Sequence, residues 1–264
     1  MKRYLTLNTS RYSLLALFAL SSLNGHAESY SSATIATGFD YSSGRYGTAN
    51  LTNILTIPVI GKYETEAWSF KLTVPYVRIT TYGGVIPGIG PGPMNRASFT
   101  RATTQSGLGD VVAGATYYAI DGTESSPGLD ITGKVKLPTA DKNVGLGTGE
   151  TDYFIQLDVY QSFKKLTLSG AVGRKYFGNS QAVPLNDVNY GSVGASYKLS
   201  DHVAAGLSLD VAQASSAAGA NQQEVTAFIS NKFEKNKKVQ GYLLKGFADG
   251  SPDTGGGVLL TFIF

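Results

Sequence analysis

Cysteine is absent from this 264-residue chain. That excludes disulfide frameworks, Cys-ligated zinc or iron–sulfur centres, and a lipoprotein-type lipid anchor. Histidine is nearly absent: His26 and His202 are the two. No apolar run beyond residue 27 is long enough to cross a membrane as a helix. No helical period of useful length occurs either. Such a chain enters a bilayer only as a closed barrel, because every backbone polar group must be satisfied away from water. A dominant charge sign is missing as well. Lys and Arg number 22 against 19 Asp and Glu, and three of the basic residues fall in the first 27 positions, which hold no acid. The remainder balances at 19 against 19, so nucleic acid is not an expected partner.

What is present begins with a secretion signal. Lys2, Arg3 and Arg11 form a basic n-region, Leu14 to Leu20 a short apolar h-region, and Gly25-His26-Ala27 offers small residues for cleavage after Ala27. Residues 1–27 are expected to be a removed signal peptide and residues 28–264 a single mature domain. The chain closes on Gly257-Val258-Leu259-Leu260-Thr261-Phe262-Ile263-Phe264, with Val258, Leu260, Phe262 and Phe264 on one face. Soluble termini usually fray into water. An outer-membrane barrel ends on a strand of this kind, apolar side to lipid, with no edge left open. The strand ending at Phe264 is the expected handle for the barrel-insertion machinery.

Between these ends, alternating segments are separated by turn signals, many supplied by the thirty-two glycines. The pattern predicts strands over 31–41, 49–62, 67–80, 107–120, 128–138, 151–163, 165–177, 187–199, 202–213, 222–233, 238–247 and 255–264. Alternate joins differ in length. Residues 63–66, 121–127, 164, 200–201 and 234–237 make short turns. Residues 42–48, 81–106, 139–150, 178–186, 214–221 and 248–254 make longer loops. Short periplasmic turns and longer outer loops are the rule for bacterial outer-membrane barrels. The fold class expected is all-β: a transmembrane antiparallel up-and-down β-barrel of about 12 strands, in the outer membrane of a Gram-negative bacterium.

The alternation assigns faces. Trp68, Phe70, Leu72, Val74 and Tyr76 alternate with Ser69, Lys71 and Thr73; Tyr153, Ile155, Leu157 and Val159 alternate with Asp152, Gln156 and Asp158. The apolar set must face outer-membrane lipid. The polar set then lines the lumen, with Lys71, Asp110, Lys134, Lys136, Asp152, Asp158 and Asp210 as its chief charges and Lys198, Lys232 and Glu224 as further ones. Lys134 and Lys136 beside Asp152 and Asp158 are the clearest cross-strand pairs. A narrow or partly plugged bore follows. The second, seventh and eleventh segments alternate poorly, and their faces stay open. Tyr63, Trp68, Tyr117, Phe163, Tyr197, Phe233 and Phe264 are expected on the periplasmic girdle. Tyr41, Tyr76, Tyr153, Tyr176 and Tyr190 are expected on the outer one.

Three segments carry a resemblance. They are Gly107-Leu108-Gly109-Asp110, then Gly133-Lys134-Val135-Lys136-Leu137-Pro138-Thr139-Ala140-Asp141, then Gly145-Leu146-Gly147-Thr148-Gly149-Glu150-Thr151-Asp152. Their ordered set resembles the outer-membrane transporter family of the MetA pathway of phenol degradation. The resemblance implies a barrel concerned with passage of hydrophobic or aromatic compounds, and it brings no catalytic residues.

The longest connection, residues 81–106, is apolar and rich in Gly and Pro in its first half, with Arg96 and Arg101 in its second. A long loop in a compact domain usually has a task. The expectation is a constriction folded into or over the mouth, with Val85, Ile86, Ile89 and Met94 offering an apolar surface; a loop lying outside is the alternative. An enzyme is not expected: His202 has no nucleophile in view, and a hydrolytic base must hydrogen-bond to one. Neither metal spacing nor a phosphate-cradling motif occurs, so no cofactor is expected. The function expected is an outer-membrane channel for small, hydrophobic or aromatic solutes. The alternative is a structural or surface-interaction barrel without transport. Oligomeric state is left open.

Overall fold

The computed structural model describes residues 31–87, 89–91, 101–178, 184–217 and 219–264. The signal segment expected at residues 1–27 lies outside these, as do Met94 and Arg96. The strands in chain order are β1 (Ser32–Gly44), β2 (Thr52–Glu64), β3 (Trp68–Thr81), the two-residue β4 (Val85–Ile86) and β5 (Gly90–Pro91), β6 (Thr103–Leu108), β7 (Val111–Ile120), β8 (Gly128–Leu137), β9 (Asp152–Phe163), β10 (Leu166–Tyr176), β11 (Val188–Lys198), β12 (Val203–Ala212), β13 (Gln222–Glu234), β14 (Lys237–Gly246) and β15 (Thr254–Ile263). Each long strand pairs antiparallel with its sequence neighbours, and β1 pairs with both β2 and β15. The sheet therefore closes. β6 and β7 pair in series along β3, as two halves of one broken strand. The result is a barrel of twelve staves with no free long edge, and β4 and β5 form a small hairpin apart from it.

Alternation decides which side chains face lipid. Leu72, Leu157, Val172, Val193, Leu207 and Leu243 are exposed on the outside, while their sequence neighbours of the other parity point inward. A soluble protein would not present such a continuous apolar surface; a bilayer requires it. This is the fold of a Gram-negative outer-membrane barrel. At the short-turn end Tyr63, Trp68, Tyr117, Phe163, Tyr197 and Phe233 are all exposed, and Trp68 packs on Tyr117 with ring centroids 4.9 Å apart. At the other end Tyr41, Tyr76, Tyr153 and Tyr176 are exposed.

Tyr190 departs from the expected outer girdle. It is buried in the lumen, directly opposite Gly173 in register. A Cβ at Gly173 would lie 2.4 Å from the Tyr190 ring, so the missing side chain is what admits the ring. The same arrangement recurs: Tyr160 faces Gly128, Phe228 faces Gly206, and Tyr242 faces Gly257, each pair directly opposite across two strands. Aromatic rings laid over cross-strand glycines pin register and fill the bore.

Two boundaries also differ. The strand expected from residue 107 begins at Thr103, because Thr103–Leu108 continues the ladder along the outer half of β3. The strand is also broken at Gly109-Asp110, which simple alternation does not reveal. The inward face of β2, left open above, consists of Thr52, Ile54, Thr56, Pro58, Ile60 and Lys62. Its apolar members Ile54 and Ile60 are buried inside, which is why the segment alternates poorly in sequence.

Candidate functional site

The mouth is organised around the break between β6 and β7. Leu108 pairs with Tyr76 and Val112 with Thr73, so four steps along the broken strand match three along β3. The extra residue is a β-bulge, a device that re-aims a side chain. Here it turns the Asp110 carboxylate into the barrel. Gly109 N–H donates to the Pro75 carbonyl at 2.8 Å, and Pro75 stands opposite Pro58 of β2. Proline lacks a ladder donor and is tolerated within a sheet only beside such an irregularity.

Side chains replace the ladder bonds lost at the break. The Thr139 hydroxyl accepts from Val111 N–H at 2.9 Å and donates to the Gly109 carbonyl at 2.8 Å. Asp110 Oδ1 accepts the Ala140 N–H at 3.0 Å, and Asp110 Oδ2 lies 2.9 Å from Lys136 Nζ. Lys136 Nζ also reaches Asp152 Oδ2 at 3.2 Å and Thr148 Oγ1 at 3.0 Å. Asp152 Oδ2 lies 3.5 Å from Lys175 Nζ, and its Oδ1 accepts the Gly178 N–H at 3.2 Å. Lys175 Nζ sits over the Phe177 ring at 4.0 Å and the Phe154 ring at 4.8 Å, both favourable cation–π distances. The three motif segments thus meet in one chain of alternating charge: Asp110, Lys136, Asp152, Lys175. Asp152 is fully buried and Lys175 2% exposed. Charges so deep persist only when paired and hydrogen-bonded. Gly147 is required here, since a Cβ would fall 2.9 Å from Asp110 Oδ2 and 2.8 Å from the Ala140 Cβ.

Above this chain lies the hairpin of β4 and β5. Gly83 and Gly84 have φ of 102° and 79°, which only glycine adopts readily, and they turn the chain back over the bore. Val85 packs with Ile54, Val77, Ile79 and Leu146 on one wall. Ile86 and Ile89 pack with Phe177, Leu185 and Val188 on another. Three staves, β7 to β9, separate β3 from β10, so the hairpin spans the mouth between distant walls. Beneath it is a cavity of about 120 Å³. Ile86, Ile89 and Phe154 give it apolar surface, while Asp40, Glu224 and Lys175 give it charge. The Tyr242 hydroxyl donates to Asp40.

Deeper in the bore the polar side chains fill space. Lys134 Nζ donates to Gln156 Oε1 at 3.5 Å, the Tyr190 hydroxyl donates to the same oxygen at 3.0 Å, and Gln156 Nε2 donates to Asp158 Oδ1 at 2.7 Å. Lys71 points inward directly opposite Lys62, whose Nζ is 2.6 Å from Glu64 Oε1. Asp210 accepts from the Ser208 hydroxyl at 3.0 Å. Asp130, Thr132, Gln156, Asp158 and Ser162 are all buried, so among the described residues the bore beside β8 and β9 is filled by side chains.

Of the residues singled out in sequence, Asp110, Lys136 and Asp152 come together in one cluster, with Val85, Ile86 and Ile89 seated over it. Arg101 is exposed just before β6. Lys134 and Asp158 meet through Gln156, and Lys71 and Asp210 lie in other parts of the bore. Lys175, the hub beneath the hairpin, was not singled out: its neighbours Arg174 and Tyr176 are also polar or aromatic, so alternation in that strand is weak. Its inward parity, shared with Gly173 and Ala171, is the signal that could have found it. Lys62, on the poorly alternating β2, escaped for the same reason. His202 is exposed in the turn after β11, where its N–H bonds the Ser200 hydroxyl at 3.3 Å.

No protein-family model matches the sequence, and no curated protein matches it. Solved structures do. The KdgM porin, in a complex with disordered oligogalacturonate, is 10% identical over 88% of this chain and 99% of its own, at a TM-score of 0.54. OmpF of Salmonella typhi, in a complex with daunomycin, is 11% identical over 89% of this chain and 97% of its own, at 0.43. The toluene transporter TodX of P. putida is 10% identical over 88% of this chain and 87% of its own, at 0.39. The last two overlays are too loose to carry an argument. The first shows a shared fold, a closed outer-membrane β-barrel.

Proposed function

We propose that this barrel is an outer-membrane channel for small hydrophobic or aromatic solutes, with the β4–β5 hairpin as its constriction. The observation that carries the reading is the hairpin itself: three buried apolar side chains, Val85, Ile86 and Ile89, held across the mouth above a cavity of about 120 Å³. An engineered apolar cavity of about 150 Å³ takes up benzene, so a space of this size suits a single ring. The porin fold supports a channel. The three motifs that resemble the MetA-pathway transporters support the solute class. Lys71, Asp110, Lys134, Lys136, Asp152, Asp158 and Asp210 are the lumen charges a solute would pass.

A second reading, a barrel that does not conduct, is favoured by the buried side chains along β8 and β9. Planar-bilayer conductance and solute flux separate the two. Intact protein is expected to pass small solutes slowly, and a barrel lacking residues 84–96 to pass them faster and to admit larger ones. A folded barrel that conducts neither with nor without that segment would establish the structural reading.

A further inference from the structure

The outward face above the outer girdle carries a patch that the channel reading does not use. Tyr41 and Tyr76 mark headgroup depth on β1 and β3. Outward positions above them on β2, β3 and β6 are polar and donor-rich. In register, Thr80 stands between Asn53 and Thr104, and Arg78 between Leu55 and Ser106. The Thr80 and Thr104 hydroxyls are 2.9 Å apart, and Asn53 Oδ1 accepts from the Tyr41 hydroxyl at 3.0 Å, which leaves the Asn53 amide donors facing out. Arg78 is exposed. It has no ion pair among the described residues, and no acid occupies an outward position of β2, β3 or β6. Arg174 gives the contrast: also outward near the outer rim, it is matched by Asp187 at 3.4 Å and lies over the Tyr176 ring at 5.4 Å.

We propose that Arg78, with the Thr80, Thr104 and Ser106 hydroxyls and the Asn53 amide, binds the phosphate of an outer-leaflet lipid. The charge complementarity is direct. Guanidinium binds phosphate through paired N–H donors, cross-strand neighbours about 5 Å apart can converge on one phosphate, and the girdle holds the patch at headgroup level. Lipid is the committed occupant because the Tyr41 and Tyr76 rings immerse this face in the leaflet.

The test is native mass spectrometry of the barrel released from micelles that contain lipid A, beside micelles that contain the same lipid with its phosphates removed. Retention of the phosphorylated form is expected to exceed that of the dephosphorylated form by about tenfold. Arg78→Gln should abolish the difference, Arg78→Lys should leave part of it, and Arg174→Gln should leave it whole. Arg78 is exposed and outside the lumen, so these variants are expected to fold and to conduct like the parent. Equal retention of both lipids, or no effect of Arg78→Gln, overturns the proposal. Displacement of lipid A by millimolar inorganic phosphate also overturns it, in favour of a site for the free ion.

Discussion

The two halves of the barrel interior are built on different principles. The periplasmic half is the plainer: its ladders shift only beside the short turns, between Tyr118 and Ile120 and between Asn231 and Glu234, the rings of Tyr160 and Phe228 lie over cross-strand glycines, and inward polar groups bond to near neighbours such as Ser162 with Thr167. The outer half is irregular. A bulge at Gly109-Asp110, opposed prolines at 58 and 75, and a loop threonine standing in for ladder bonds all occur there. The ion chain from Asp110 to Lys175 and the apolar hairpin fill the space that irregularity opens. The difference teaches where this chain departs from a generic barrel. Backbone disruption is costly in a membrane, and here it coincides with the loops that build the mouth.

The largest expected effect comes from breaking the ion chain. Asp152 contacts both Lys136 and Lys175 and is fully buried. Removing one member of a buried pair leaves the others uncompensated, which typically costs about 3–5 kcal/mol. Asp152→Asn should lower stability by that amount in urea unfolding from lipid vesicles, followed by the emission of Trp68, the single tryptophan. Asp158→Asn, in the regular half, loses a carboxylate held by one amide and should cost about 1–3 kcal/mol. Equal losses at the two sites would erase the distinction between the halves.

The next effect tests the belt that both halves share. Leu157 lies near the middle of β9 and faces outward. Leu157→Arg should cost about 2–4 kcal/mol, the usual penalty for a cation at mid-bilayer on the lipid face. Gln156→Arg, one residue along but inward, should instead perturb conductance, because its side chain enters the bore. A small cost at Leu157 would mean that the face assignment of β9 is inverted.

Much of this was legible in the chain. Strand number, the short-turn end and the lipid face of β3, β8 and β9 follow from strict period-two alternation, which a bilayer enforces. Legibility fails where the inward face is itself apolar. Ile54, Val77 and Ile79 pack under the hairpin, so both faces of β2 are apolar, and in the outer part of β3 the apolar set lies inward with Arg78 and Thr80 outside, which reverses the usual pattern. The bulge escaped because one inserted residue flips parity without any change in composition. Lys136 beside Asp152 is legible from two adjacent strands, whereas the place of Asp110 in the same cluster is not. It depends on Thr139 and Gly147, loop residues whose turn chemistry looked sufficient in itself. Tyr190 was misassigned because an aromatic near a strand end fits a girdle equally well; only the glycine opposite it, on another strand, decides the matter.

A third variant tests a ring laid over a glycine near the outer end of β10. Gly173→Ala would place a Cβ 2.4 Å from the Tyr190 ring and 2.8 Å from the Ile155 carbonyl oxygen. The ring can swing, but the carbonyl belongs to the β9 ladder. Overpacking of this kind costs about 1–3 kcal/mol, readable in the same urea series. A neutral result would show that the rings over glycines merely fill space and do not fix register.

The smallest effect is the most specific. Tyr190→Phe keeps the ring over Gly173 and removes only its hydroxyl, which donates to Gln156 Oε1 at 3.0 Å. That oxygen also receives Lys134, so it is not stranded, and the loss should be about 0.5–1.5 kcal/mol, the net worth of one buried hydrogen bond. Were Tyr190 on the outer girdle instead, its hydroxyl would sit among headgroups and water, and the substitution would change stability by less than about 0.5 kcal/mol. Brominated lipid gives an independent reading of the same geometry: a tryptophan substituted at position 190 should escape quenching, whereas one at position 153, exposed on the outside, should be quenched strongly. If position 190 were quenched as well, the ring would face lipid, and the lumen would lose the side chain that ties Gln156 to β11.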